Sequence, residues 1–154
     1  MGTRDQGSAG TTEPVLETRT RILDSTKDSI NFVGSQALEA ARRCGFRETI
    51  VERIGLAVHE IMTNAVIHGN RGNLLKKVVV TISRTPNKLK IEIADEGDGF
   101  YPDHLPDPLS PEGLLKGSGR GVYLARAFMD EFQVRREPVG WTTVVMAKLT
   151  QSAR

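Results

Sequence analysis

Very little cysteine, few aromatics and no long apolar run mark this 154-residue chain. One cysteine, Cys44, excludes an internal disulfide and a multi-cysteine metal site. Three histidines, His59, His68 and His104, leave little material for a histidine-rich metal centre. Aromatic residues at 5% argue against a base-stacking surface. Lys plus Arg number 21 against 19 Asp plus Glu, a net charge of +2, too small an excess to predict a nucleic-acid or membrane partner. No stretch approaches the roughly 20 apolar residues of a membrane helix. Residues 1–12 lack the apolar run of a signal peptide. A cytoplasmic protein with no direct nucleic-acid or membrane partner is the resulting expectation.

What remains is 38% hydrophobic and 26% charged, the balance of a globular chain large enough for one core. Periodicity divides it into a disordered tail over 1–12, a single domain over 13–150 and a C-terminal tail over 151–154. Val15 to Leu23 reads as a strand, and Ser25 as the N-cap of a helix running to about Cys44. Gly45 fits the position just past that helix. Ile50, Ile54, Ala57, Ile61 and Ala65 mark one stripe of a second helix from Glu48 to His68, with Gly69 and Gly72 as its stops. Val78 to Ile82 and Leu89 to Ile93 flank Thr85-Pro86-Asn87 and so predict an antiparallel hairpin. A third helix over about Val122 to Met129 and strands near Phe132–Arg136 and Thr142–Leu149 complete the pattern. The expected class is α+β: a two-layer sandwich with helices on one face of a mixed, mostly antiparallel sheet.

Glycine is the abundant residue that carries information. Six of the 15 glycines and four of the seven prolines lie between Asp95 and Gly121, a long irregular segment of the kind that forms functional lids.

Three constellations could carry chemistry. On the second helix Glu60, Asn64 and His68 are spaced i, i+4, i+8 and project from nearly one side. Glu60 can serve as a base, and the Asn64 carbonyl suits a hard cation such as Mg²⁺. Spacing alone favours a solvated polar stripe. A zinc-protease reading fails, because Thr63 stands where His-Glu-x-x-His needs its second histidine. Next, Asp95-Glu96-Gly97-Asp98-Gly99-Phe100 follows a strand, where an acidic group can be held to accept from an amine and glycines let a ligand approach the backbone. By itself this is an ordinary Asp/Gly turn. Finally, Lys116-Gly117-Ser118-Gly119-Arg120-Gly121 precedes a helix. Free N–H groups at the helix start, with Lys116 and Arg120, make an anion site, and a capping glycine loop explains the piece equally well. It is neither a Rossmann fingerprint nor a P-loop: Val122 replaces the third glycine of the former, and no Gly-Lys-Ser/Thr occurs.

Taken in order, these pieces resemble the GHKL ATPase superfamily of gyrase, heat-shock chaperone, histidine kinase and mismatch-repair proteins. Within it they are most similar to the anti-sigma factor serine kinases, the RsbW/SpoIIAB-like group. Glu60-x-x-x-Asn64-Ala65-x-x-His68-Gly69-Asn70 looks like the N box and Asp95-x-Gly97-x-Gly99-Phe100 like the first glycine box. Leu105-Pro106-Asp107-Pro108 resembles the lid, and Gly119-Arg120-Gly121-Val122-Tyr123-Leu124 the second glycine box.

The resemblance implies a Bergerat ATP-binding fold and a protein-serine kinase using ATP and Mg²⁺. Asn64 would hold the metal, Asp95 would accept from the adenine amine, and Thr143 would support adenine nearby. Gly97 and Gly99 would admit the nucleotide, and Lys116, Gly117, Gly119, Arg120 and Gly121 would surround its phosphates. Glu60 would be the general base toward a partner's serine. A sigma factor, an anti-sigma antagonist carrying that serine, and a second copy of the chain are the implied partners. The alternative is a nucleotide-dependent binding switch of the same fold without kinase activity.

Overall fold

The computed structural model describes residues 13–97 and 120–151. The expected tail over 1–12, all but Gln151 of the expected tail over 151–154, the lid motif at Leu105–Pro108, and Gly99, Lys116, Gly117 and Gly119 lie outside the described residues.

The chain forms β1 (Glu17–Asp24), α1 (Lys27–Arg43), α2 (Glu48–Thr63), a π-helical turn (Asn64–Gly69), β2 (Lys77–Arg84), β3 (Lys88–Asp95), α3 (Arg120–Phe128), β4 (Glu131–Arg136) and β5 (Thr142–Leu149). The strands make one sheet in the order β1-β2-β3-β5-β4, antiparallel at each of its four pairings. The expected mixed sheet is therefore wholly antiparallel among the described strands. Two tight turns account for half of this. At Thr85-Pro86-Asn87 the Thr85 hydroxyl accepts from Asn87 and Lys88 N–H, and the turn over 137–141 uses Gly140 at φ 87°. Between β1 and β2, two helices run out and back, which again reverses strand direction.

Period-two alternation then decides which face is apolar. Val78 and Val80 on β2, Leu89, Ile91 and Ile93 on β3, and Val144 and Met146 on β5 are buried. They form one core with Val33, Ala37 and Ala41 of α1, Val51, Ile54, Val58 and Ile61 of α2, and Val122 and Ala125 of α3. The two-layer α+β arrangement is the expected one.

Local chemistry explains the helix limits, with one correction. The N-cap of α1 is Thr26, not Ser25: Thr26 is extended, and its hydroxyl accepts from Ser29 N–H at 3.2 Å. Ser25 is buried one residue earlier, where its hydroxyl donates to the Lys76 carbonyl at 2.6 Å. Asp28 adds a favourable charge to the first turn. At the other end Gly45 takes φ 81°, its N–H meets the Arg42 carbonyl, and Phe46 N–H reaches the Ala41 carbonyl. This paired closure requires the left-handed conformation that glycine adopts without strain.

Thr26→Ala should lower stability by about 1 kcal/mol in urea unfolding. An unchanged midpoint would contradict the Thr26 cap.

Candidate functional site

The site is built where α2 gives out. Through Thr63 the helix is regular; from Asn64 to Gly69 it widens into a π-helical turn, closed by Asn70 N–H on the Ala65 carbonyl at 2.8 Å. Such turns re-aim the side chains that follow them. Glu60 and Asn64 remain half-buried, while His68 and His59 are exposed. Gly69 is not the helix stop that its position in the sequence suggests. Arg71 and Gly72, at φ 54° and 65°, turn the chain instead.

The role of Gly69 is close approach. A Cβ there would lie 2.6 Å from Asp95 Oδ1 and 2.8 Å from its Cγ, and a Cβ on Gly97 would lie 2.5 Å from the Gly69 backbone. Both glycines are required for the π-turn to lie against the end of β3. Beneath them Asp95 is only 6% exposed. Its Oδ1 accepts from Gly97 N–H at 2.7 Å. Burial raises its carboxyl to about 6, opposed by the Gly97 N–H and the charge of Lys76. A buried acid poised in this way suits an incoming amine, which stabilises the charged form that burial disfavours.

Thr143 does not join this group. It pairs with Ala94, so strand alternation puts it on the opposite face of the sheet from Asp95. The residue paired with Asp95 is Thr142, 1% exposed, whose hydroxyl reaches the Gly97 carbonyl at 3.4 Å. On this register Thr142, not the expected Thr143, shares a face with Asp95.

The second glycine box meets the N box at Gly121. A Cβ on Gly121 would fall 2.9 Å from Glu60 Cβ and 3.1 Å from its Cδ, so only glycine allows the start of α3 to pack on this part of α2. Val122 and Ala125 are buried in the same core, and the Arg53 guanidinium lies 5.7 Å from the Phe128 ring centre at the far end of α3. At that end Lys148 Nζ donates to the Phe128 carbonyl at 2.9 Å, satisfying a terminal acceptor. Arg120 is exposed at the helix start. Glu60 therefore stands beside a helix N-terminus, the backbone environment in which anions are bound.

These residue types fit an adenine nucleotide: a buried acidic acceptor at one end, glycine backbone in the middle, and a helix start beside a carboxylate at the other. Among the described residues no group of three or more His, Cys, Asp or Glu could hold a metal ion. A divalent ion would rest on Asn64 and the phosphates themselves.

A family model for the histidine kinase-like ATPase domain matches residues 23–148, and the chain belongs to that family. Its similarities run to anti-sigma kinases in particular. It is 31% identical over 120 residues to the serine-protein kinase RsbW of Bacillus subtilis (strain 168), spanning 74% of each chain. It is 35% identical over 99 residues to the anti-sigma F factor of Bacillus thuringiensis (strain Al Hakam), spanning 62% of this chain and 66% of that one. Two solved structures share the fold. The RsbU and RsbW domains of a Mycobacterium tuberculosis protein match with TM-score 0.58 and 20% identity over 90% of this chain, which spans 34% of that longer one. The catalytic domain of histidine kinase ThkA matches with TM-score 0.50 and 13% identity, covering 86% of this chain and 97% of that domain.

Two measurements probe the base end of the site. Because folding raises the Asp95 pKa, its neutral form adds stability that is complete below the ordinary carboxylate range and lost as pH rises through about 6. Asp95→Asn should therefore melt above the wild type at pH 7, with the gap closing below about pH 4; an equal gap at both pH values would contradict the burial argument. Thr142→Val should weaken ATP binding about fivefold by calorimetry and Thr143→Val should not; the reverse order would contradict the register-based assignment.

Proposed function

We propose that the protein is an ATP-dependent protein-serine kinase and anti-sigma factor, which binds a sigma factor and phosphorylates an anti-sigma antagonist on serine. The observation that carries this reading is Glu60 packed against Gly121 at the start of α3, in a chain whose relatives are named as serine-protein kinases. A carboxylate beside an anion-binding helix start is the pair that phosphoryl transfer to a hydroxyl needs.

In this reading Asp95 accepts from the adenine amine, with Thr142 and Gly97 closing that end. Gly97 and Gly99 admit the nucleotide. Lys116, Gly117, Gly119, Arg120 and Gly121 surround the phosphates, and Asn64 offers its side-chain carbonyl to Mg²⁺. The ion supplies charge neutralisation on the phosphates. The serine oxygen forms its bond to the γ-phosphorus as the bond to the departing ADP breaks, and Glu60 takes the hydroxyl proton. The segment between Gly97 and Arg120 serves as a lid that keeps water from competing with the serine. The reading further assigns one catalytic domain over residues 13–150, a homodimer and a cytoplasmic location. No helix among the described residues is long and apolar enough to cross a membrane.

With Mg-ATP carrying a labelled γ-phosphate, label should pass to a serine of the antagonist protein. Glu60→Ala should reduce transfer at least about a hundredfold while ATP affinity is largely kept. Parallel loss of ATP binding would contradict the assignment of Glu60 as base. Absence of transfer by the wild type, with ATP-dependent partner binding intact, would establish the switch reading instead.

A further inference from the structure

The β2–β3 ladder ends at the pair Val78↔Asp95. One step further, the backbone groups of Lys77 and Glu96 are satisfied by side chains. Asn70 Oδ1 accepts from Glu96 N–H at 2.9 Å, and Asn70 Nδ2 donates to the Lys77 carbonyl at 3.0 Å and to Ser25 Oγ at 2.9 Å. Glu96 completes the exchange by accepting from Lys77 N–H at 2.6 Å. Asn70 is 1% exposed, and its side-chain amide makes three bonds there. It thus acts as an inserted peptide group that ends the ladder and holds the chain on its way from Asp95 to Gly97. Its neighbour Gly69 lies directly on the Asp95 carboxylate.

We propose that Asn70 is a positioning residue for base recognition: its Oδ1 bond to Glu96 N–H sets the main chain so that Asp95 and Gly97 face the nucleotide base in one geometry. This rests on the reading of Asp95 as the acceptor of the adenine amine. The division of labour within Asn70 makes the proposal separable from a purely structural role. The Oδ1 acceptor reaches the Asp95–Gly97 segment, whereas the Nδ2 donors reach Lys77 and Ser25.

The test compares ATP and GTP dissociation constants by calorimetry, with melting temperatures, for the full chain and for Asn70→Ser, Asn70→Asp and Asp95→Asn. Serine is too short to reach Glu96, while aspartate keeps the acceptor and loses the donors. Both Asn70 variants should melt lower. Asn70→Ser should narrow the ATP-over-GTP preference about tenfold, and Asn70→Asp should keep it within about twofold of wild type. A lower melting temperature with unchanged preference in Asn70→Ser would make Asn70 merely structural and overturn the proposal alone. Retained preference in Asp95→Asn would overturn both the proposal and the adenine reading. Should Asn70→Ser not fold, Ser25→Ala removes one of the two acceptors that anchor Nδ2. With the Oδ1 bond left in place, it should melt lower and keep the preference within about twofold of wild type; a preference narrowed about tenfold there would overturn the proposal.

Discussion

The approach of Gly69 to the Asp95 carboxylate is the contact on which the site depends. A Cβ at Gly69 would overlap the carboxylate, and a Cβ at Gly97 would overlap the Gly69 backbone, so the two segments meet at a spacing that a Cβ at either glycine forbids. The helical layer and the sheet touch here through main chain rather than through packed apolar groups. That removes water from Asp95 and raises its carboxyl to about 6. The same burial that makes the group a sensitive partner for an amine also weakens the empty protein near neutral pH. Function and stability are opposed at one atom pair, a common feature of binding sites.

The second contact of this kind lies at the start of α3, where Gly121 seats the helix against Glu60. The remainder of α3 is held by ordinary means: Val122 and Ala125 in the core, Arg53 against Phe128, and Lys148 on the last carbonyl. Two glycine contacts therefore mark the candidate site, and the π-turn begins at Asn64, which still has regular helical geometry. A regular α-helix through residue 69 would carry His68 onto the stripe of Glu60 and Asn64. The wider turn changes that spacing, and His68 is exposed.

Much of this architecture is legible from residues alone. The apolar stripe from Ile50 to Ala65 announces α2, alternation in Leu89-Lys90-Ile91-Glu92-Ile93 announces a half-buried strand, and Thr85-Pro86-Asn87 announces the hairpin. Glu60, Asn64 and Asp95 stand out only through the ordered set of motifs, because spacing alone makes the first two a solvated stripe and the third an Asp/Gly turn. Ser25 and Thr26 are harder to separate, since either hydroxyl could cap the helix; the Lys76 carbonyl, 51 residues away, takes Ser25 out of competition. Thr142 and Thr143 present the same difficulty more sharply. Two adjacent threonines on a strand face opposite sides, and the sequence contains no sign of which one shares a face with Asp95.

Local sequence determined the helices, the strands, the hairpin and the identity of the acidic and amide groups, because periodicity and capping act over a few residues. Tertiary structure alone decided the register that pairs Asp95 with Thr142, the insertion of Asn70 beyond the last pair of β2 and β3, and the use of Gly69 as a contact rather than a stop. Each of these depends on backbone groups more than twenty residues apart meeting within hydrogen-bond or van der Waals distance. That condition is met only once the hydrophobic core has drawn the helices onto the sheet.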